Sequence, residues 1–243
     1  MNKAEICADM TLDYEGTEAI NTLCSNLSFA GKNIKKVVIT SCDENEGKSF
    51  IAIQMMKNLA ERGKKVVLVD ADMRCSVLIA HYDIRLGGQK QGLAHFLSGQ
   101  ADLESCMYAT SVQNAYMIPV GTDVTNPLGL LNSGDFGKLL DALEQTFDFV
   151  IVDAPPVGLV IDAAEIARCC DGVIFVVEYN RTHLRELKRA QAQIQATGTP
   201  VLGSVINKVT VNRLSTKKYY YYGHYYSSRN HYYTRAKKGQ KKE

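Results

Sequence analysis

The features that would place a chain in a membrane or an oxidising compartment are missing from this sequence of 243 residues. No apolar run is long enough to cross a bilayer, and residues 1–9 carry Lys3, Glu5 and Asp9, so we expect neither a membrane span nor a signal peptide. The seven cysteines form no Cys-x-x-Cys pair, which argues against a disulfide framework and against a zinc site. We therefore expect a cytoplasmic protein.

Charge is distributed unevenly along the chain. Residues 1–207 contain 18 Lys and Arg against 25 Asp and Glu, a net charge of −7. Residues 208–243 contain 10 against 1, a net charge of +9. The sequence therefore predicts an acidic body, residues 1–208, followed by a basic tail, residues 209–243.

The tail has an unusual tyrosine content. It holds eight of the thirteen tyrosines of the chain, namely Tyr219, Tyr220, Tyr221, Tyr222, Tyr225, Tyr226, Tyr232 and Tyr233. No aliphatic residue follows Leu214, so we expect the tail to be flexible and solvated. Three interpretations are open: a segment without special chemistry, a nucleic-acid-binding segment with aromatic stacking and cations, or a set of phosphate acceptors.

A phosphate-binding loop is the main motif of the body. An apolar strand at residues 37–39 leads through polar residues 41–46 into a helix that begins at Gly47, Lys48 and Ser49. The free amides and the dipole of a helix N-terminus attract anions, Lys48 can reach the outer phosphates, and the Ser49 hydroxyl can ligate Mg²⁺. The alternative is an ordinary helix start.

The loop departs from the usual patterns at three positions. Cys42 stands where the general pattern has glycine, and Glu44 and Asn45 stand where a related pattern has Pro-Gly. Asparagine is one of the few residues that adopt left-handed backbone conformations, so Asn45 can replace a glycine there.

Aspartates follow two further apolar runs. Residues 66–69 precede Asp70 and Asp72, and residues 149–152 precede Asp153. Unbroken apolar runs are typical of strands buried on both faces of a parallel sheet, and ligands bind at the carboxyl ends of such strands. An aspartate like Asp153 commonly holds Mg²⁺ beside a phosphate loop, whereas Asp70 and Asp72 are also compatible with a turn and a helix cap.

The pattern of elements predicts one fold class. Apolar strands at residues 173–177 and 201–206 alternate with helices, which indicates an α/β protein with a doubly wound, mostly parallel sheet flanked by helices, as in P-loop NTPases. Apolar residues at helical spacing, including Ile20 and Leu27, predict a helical segment over residues 1–31.

Together these motifs resemble the bacterial tyrosine kinases of capsular and exopolysaccharide synthesis, in particular the separate cytoplasmic kinase subunit of Gram-positive bacteria. The residues that carry the resemblance are the loop at 41–49, the second motif at 67–74, the third motif at 150–156 and the terminal tyrosine cluster. The resemblance implies an ATP- and Mg²⁺-dependent protein-tyrosine autokinase that phosphorylates its tyrosine cluster in trans and regulates polysaccharide polymerisation and export.

The resemblance also implies roles for individual residues. Asp70 would be the base for the tyrosine hydroxyl, with Lys48 and Asp72 as further catalytic residues, and Asn207 would face the adenine. Metal ligands would be Ser49, Asp72 and Asp153. Contacts to the nucleotide would come from Asn45, Glu46, Gly47, Lys48, Ser49, Phe50, Arg74 and Asn207.

The same resemblance implies three partners. The first is a membrane polysaccharide co-polymerase that activates the kinase and holds it at the inner face of the plasma membrane. The others are further copies of the chain and a cognate tyrosine phosphatase, and we expect no nucleic acid. The family's ring-assembly motif, Glu-x-x-Arg-x-x-Arg, aligns here with Glu18, Asn21 and Cys24, so both arginines are absent.

Two alternatives to a kinase are open. One is a nonkinase ATPase of the chromosome- and septum-positioning group, which shares the fold, switches dimerisation with ATP and typically carries an extra lysine near positions 42 and 43. This chain has Cys42 and Asp43 there. The other is a polybasic adaptor for a membrane surface or for nucleic acid, in which ATP binding is vestigial.

Overall fold

The computed structural model describes residues 2–209. Within this range the strands are β1 (Asn2–Ile6), β2 (Lys36–Ser41), β3 (Val66–Asp70), β4 (Ile84–Leu86), β5 (Tyr108–Thr110), β6 (Ala115–Ile118), β7 (Phe149–Asp153), β8 (Gly172–Glu178) and β9 (Val201–Asn207). The helices are α1 (Tyr14–Phe29), α2 (Lys48–Glu61), α3 (Leu78–His81), α4 (Leu93–Leu97), α5 (Leu103–Cys106), α6 (Pro127–Leu131), α7 (Asp135–Thr146), α8 (Asp162–Ala167) and α9 (Leu184–Gln195).

All these strands belong to one sheet with the order β4-β1-β5-β6-β3-β7-β2-β8-β9. Neighbouring strands run parallel except for the pairs β1 with β4 and β5 with β6. Every residue of β2, β3 and β7 is buried, because helices cover both faces of the sheet at its centre. The predicted fold class, a doubly wound and mostly parallel sheet, is confirmed.

Two apolar layers enclose the sheet. Alternate residues of β2 belong to different layers, Val38 to one and Val37 and Ile39 to the other, as the two-residue period of a strand requires. The first layer contains Phe136 of α7, and the second contains the inner face of α2, including Met55. These layers fix the position of α2, and therefore of the loop that precedes it.

The prediction of a helical segment over residues 1–31 is wrong at its beginning. Residues 2–6 form β1, which pairs with β4 and with β5, and the helix starts only at Tyr14. Asp13 caps it, because its carboxylate accepts a hydrogen bond from the main-chain N–H of Gly16 at 2.7 Å. The apolar spacing from Ile20 onward predicted this part correctly, and Ile20 and Leu27 are buried.

Local caps define the ends of two further helices. Gly63 follows α2 with φ of 80°, the left-handed conformation that glycine adopts readily after a helix. The side chain of Asn126 caps α6. In the described part of the chain, no helix has the length and apolar character that crossing a membrane requires.

Candidate active site at the phosphate loop

The sheet register brings the predicted strand ends together. Asp70 at the end of β3 lies opposite Asp153 at the end of β7, and Asp153 also pairs with Ile39 of β2. The phosphate loop follows β2 at the same edge of the sheet. The motifs that are far apart in the sequence therefore meet at one place, where α/β sheets bind their ligands.

The backbone of the loop accommodates its unusual residues. Asn45 has φ of 61°, the left-handed conformation expected of it, while Cys42 and Glu44 keep ordinary negative φ values. Gly47 precedes α2 with φ of 92°. The loop therefore needs left-handed backbone only at Asn45 and Gly47, and the missing glycine and proline do not prevent it from forming.

Gly47 is required for a second reason. A Cβ atom on this residue would lie 2.1 Å from Nδ2 of Asn207. That amide group donates a hydrogen bond to the main-chain oxygen of Glu46 at 2.9 Å. Asn207 therefore contacts the loop itself, and its predicted contact with the adenine stays a prediction.

Lys48 is held by acidic residues. Its ammonium group lies 3.1 Å from Oδ2 of Asp72, and both side chains are almost fully buried. Burial opposes the charge of Lys48, but Asp153 and Asp72 outweigh this effect, so the pKa of Lys48 is raised. Lys48 is therefore a fixed positive charge at the position where the loop would hold the outer phosphates.

Ser49 and Asp153 are two of the predicted metal ligands. Burial raises the pKa of Asp153, while the charge of Lys48 and the hydroxyl of Ser49 act in the opposite direction, and Oδ1 of Asp153 is buried with no hydrogen-bond partner within the described residues. The oxygens of Asp72 contact Lys48 and the main-chain N–H of Cys75, the latter at 3.2 Å.

In residues 2–209, no group of three or more His, Cys, Asp and Glu residues is arranged to hold a metal by itself. Mg²⁺ typically binds through one or two carboxylates together with substrate phosphates and water. The hydroxyl of Ser49 and the unpaired oxygen of Asp153 fit that requirement, and the role of Asp72 as a metal ligand stays a prediction.

Asp70 has the environment of a tuned base. Burial, followed by the neighbouring charge of Asp153, raises its pKa to about 8, although a hydrogen bond from Ser76 acts in the opposite direction. The Ser76 hydroxyl donates to Oδ2 of Asp70 at 2.5 Å. A carboxylate whose pKa lies near neutrality is suited to accept a proton during catalysis.

Arg74 makes a contact that the sequence did not predict. Its guanidinium forms a bidentate pair with Asp162, with distances of 2.7 Å and 2.9 Å. Asp162 is buried, so the pair fastens the segment after β3 to the start of α8. Phe50 is partly buried against the apolar layer that contains α2. Direct nucleotide contacts by Arg74 and Phe50 stay predictions.

Glu46 turns its side chain into the loop. Its carboxylate accepts hydrogen bonds from the main-chain N–H groups of Cys42 and Asp43, at 2.7 Å and 2.9 Å. Thr182, just before α9, also donates its hydroxyl to Glu46. The side chain of Glu46 is thus engaged within the protein, which leaves its main-chain amide as the group that can contact a nucleotide. That contact stays a prediction.

Sequence reasoning missed Ser76, Asp162, Thr182 and Gly158. Ser76 lies two residues beyond the Asp-x-Asp-x-Arg motif and was within reach of it. Thr182 is 136 residues from Glu46, and no sequence pattern joins them. A Cβ at Gly158 would lie 2.1 Å from the main-chain oxygen of Cys42, so the loop after β7 packs closely on the phosphate loop.

The predicted phosphate acceptors, Tyr219 to Tyr233, lie outside the described residues. So does the rest of the predicted tail from residue 210 onward.

Known proteins share both the sequence and the fold. A family model described as an AAA domain matches residues 34–199. The tyrosine-protein kinase CpsD of Streptococcus agalactiae serotype Ia is 38% identical over 211 residues, which cover 86% of this chain and 90% of the relative.

Solved structures extend the comparison. The chimerical protein CapA2B2 superimposes with a TM-score of 0.74 at 30% identity, covering 80% of this chain and 85% of that one. The septum site-determining protein MinD from Pyrococcus horikoshii, complexed with Mg-ADP, has a TM-score of 0.61 at 22% identity, covering 74% and 72%. The second likeness concerns the fold alone.

Proposed function

Because the chain belongs to the bacterial tyrosine-protein kinase family that includes CpsD, we propose that it transfers the γ-phosphoryl group of ATP to protein tyrosines. Its acceptors are the eight tyrosines at positions 219–233 of another copy, and its modification state regulates capsular or exopolysaccharide polymerisation and export. The observation that carries the proposal is the arrangement of Lys48 and Asp70 beside the phosphate loop, within a chain so similar to named tyrosine kinases.

The residues divide the chemistry between them. Main-chain amides of the loop and the Lys48 ammonium bind the phosphates and offset the charge that spreads over the transferred group. Ser49 and Asp153 would hold Mg²⁺, which neutralises phosphate charge. The phosphoryl transfer itself requires positioning more than covalent chemistry from the protein.

Asp70 acts as the general base that accepts the proton of the tyrosine hydroxyl. The tyrosine hydroxyl gives its proton to the Asp70 carboxylate while its oxygen forms a bond to the γ-phosphorus. The bond from that phosphorus to the oxygen bridging it to the β-phosphate breaks, and ADP leaves with the electron pair. Asp70 then releases its proton to water. Ser76 must turn away from Oδ2 or share that oxygen during the step, because its hydroxyl occupies the carboxylate in the present arrangement.

Membrane recruitment is part of the proposal. A polysaccharide co-polymerase subunit activates the kinase and brings it to the inner face of the plasma membrane, and a cognate phosphatase reverses the modification. The chain also associates with itself, which transfer in trans requires. The support comes from the family, since the described residues contain no candidate membrane helix and CapA2B2 is similar in structure.

The test is incubation of the full chain with ATP and Mg²⁺, with and without the cytoplasmic fragment of the membrane activator, followed by mass mapping of residues 219–233. We expect phosphotyrosine in the wild type and none with Lys48→Met, since this change removes the charge that binds the phosphates. Asp70→Asn should bind ATP and lose transfer by about a hundredfold or more.

Absence of phosphotyrosine in the wild type under both conditions would reject the kinase function. ATP hydrolysis that continued under the same conditions, together with ATP-dependent dimerisation, would favour the nonkinase ATPase. Retained autophosphorylation in Lys48→Met would place the chemistry elsewhere in the chain.

A further inference from the structure

The carboxylate of Glu46 joins the phosphate loop to the end of another strand. Glu46 is 1% exposed, and besides the N–H groups of Cys42 and Asp43 it accepts hydrogen bonds from one group at the end of β8 and one just after it. These are the main-chain N–H of Glu178, at 3.3 Å, and the hydroxyl of Thr182. One buried side chain therefore connects residues that follow β2 with the last residue of β8 and the segment after it.

The hydroxyl of Thr182 is shared between two partners. It donates to Glu46 and accepts a hydrogen bond from the main-chain N–H of Glu178 at 3.0 Å. This hydroxyl is the one side-chain donor that the described residues offer to the Glu46 carboxylate, the others being main-chain groups. It is also the contact that leads to α9, which begins two residues later.

A carboxylate in this position determines the direction of the loop amides. A buried carboxylate requires hydrogen-bond donors, and leaving it short of one is unfavourable. The N–H groups of Cys42 and Asp43 point toward Glu46, and these two hydrogen bonds fix the orientation of the peptide planes at the start of the loop. The loop lacks the Pro-Gly of related patterns at positions 44 and 45, so its shape depends more on the hydrogen bonds to Glu46 than that of a loop with Pro-Gly would.

We propose that Thr182 is a positioning residue of the phosphate loop. Through Glu46 it holds the amides at the start of the loop in place, so that the later amides and Lys48 face the phosphates, and it couples the loop to the start of α9. This role depends on the proposed function in one respect, namely that the phosphate loop binds a nucleoside triphosphate.

The first test measures hydrogen exchange of the full chain without nucleotide. Thr182→Val replaces the hydroxyl with a methyl group of similar size, whereas Thr182→Ser keeps the hydroxyl. We expect deuterium uptake by the peptide 41–49 to become about tenfold faster in Thr182→Val and to stay at the wild-type rate in Thr182→Ser. Equal uptake in Thr182→Val and wild type would overturn the proposal.

Thr199→Val is the matched control for general loss of stability. Thr199 is buried, and its hydroxyl donates to the main-chain oxygen of Ala167 at 2.8 Å, at the other end of α9. This change likewise removes a threonine hydroxyl that donates a hydrogen bond, without touching the loop. Faster exchange of peptide 41–49 in Thr199→Val, by the same factor, would show a global effect and count against a specific role for Thr182.

The second test separates binding from turnover. Calorimetric titration with Mg-ATP, using the complex with the activator fragment, should give a Kd about tenfold higher in Thr182→Val than in wild type. The kcat for phosphoryl transfer at saturating ATP should stay within about twofold, since in the proposal Thr182 acts on the loop through Glu46 and takes no part in the transfer. An unchanged Kd with a lowered kcat would contradict the proposal.

The exchange measurement and the Kd for Mg-ATP do not depend on whether the chain is a kinase, whereas the kcat comparison does. A wild type that makes no phosphotyrosine would reject the proposed function, while the exchange rates of peptide 41–49 would still decide the role of Thr182. Conversely, normal exchange and normal ATP affinity in Thr182→Val, in a chain that phosphorylates tyrosine, would reject the positioning role alone.

Discussion

Lys48 lies among three buried carboxylates, Asp70, Asp72 and Asp153. Burial raises the pKa of Asp70 and that of Asp153, and repulsion by neighbouring carboxylates adds to the rise at both residues. The site is unfavourable for folding until it receives a metal ion or a proton, a common property of catalytic sites.

The raised pKa of Asp70 predicts how the stability of the protein depends on pH. Its pKa is raised from 3.8 to about 8 on folding, so between these values the folded chain binds more protons than the unfolded chain. Stability should therefore fall as pH rises from 5 to 8. Asp70→Asn, which resembles the protonated form, should raise the Tm relative to wild type, and by more at pH 8 than at pH 5.

The measurement is thermal unfolding in the presence of a chelator, at both pH values. Asp123→Asn is the control, because Asp123 is exposed and its replacement should leave the difference between the two pH values as in wild type. A Tm for Asp70→Asn that falls below wild type at pH 8 would contradict the assignment of Asp70 as a destabilising buried carboxylate.

At the scale of elements, α1 is fastened to α2 through the positions of the missing ring motif. Oδ1 of Asn21 accepts hydrogen bonds from the side chains of Asn58 at 2.8 Å and Arg62 at 3.0 Å. Cys24, at the second position, is fully buried. The residues at both arginine positions of the related motif are therefore engaged within the chain here.

Asn21→Ala tests this internal role. The change removes the contacts to Asn58 and Arg62 and should lower the free energy of unfolding by about 1 kcal/mol. Denaturant titration measures the effect. Asn26→Ala is the matched control: Asn26 is an exposed residue of the same helix, and its change should stabilise slightly, since alanine is the better helix former. Equal shifts in the two variants would show that the contacts contribute nothing.

The elements also show which parts of the fold a sequence can predict. β2, β3 and β7 were recognisable because each is an unbroken apolar run, and burial on both faces leaves no other pattern for a central parallel strand. β1 was not recognisable: only Ala4 of its five residues is buried, and its partners β4 and β5 are distant in the sequence. A strand of this kind depends on tertiary pairing more than on local pattern.

In the candidate site, too, some features could be predicted from the sequence and others could not. Lys48, Ser49, Asp70 and Asp153 stand at strand ends or in a motif, so the sequence predicted both their identity and their convergence. The Glu46 side chain was expected near the nucleotide, and the structure turns it toward Thr182 and the loop amides. Long-range hydrogen bonds of this kind leave no periodic signal in the sequence.

At the scale of the whole molecule, charge is separated between the body and the tail. Residues 1–207 carry −7 and residues 208–243 carry +9. Opposite charges on two molecules attract each other over about one Debye length, which is about 10 Å at 0.1 M salt. We infer that this attraction concentrates the acceptor tyrosines of one copy at the site of another, and each phosphate then adds about −1.5 to −2 charges and weakens it.

Autophosphorylation in trans should therefore depend on salt and on the extent of modification. We expect the initial rate to fall severalfold as sodium chloride increases from about 50 to 300 mM, with an unchanged Kd for Mg-ATP, and each reaction to slow as phosphate accumulates. A variant with glutamine at four tail lysines that follow the tyrosines should be slower at low salt and less sensitive to added salt; these are Lys237, Lys238, Lys241 and Lys242. A rate independent of salt in the wild type, at unchanged ATP affinity, would show that charge does not bring the acceptor to the site.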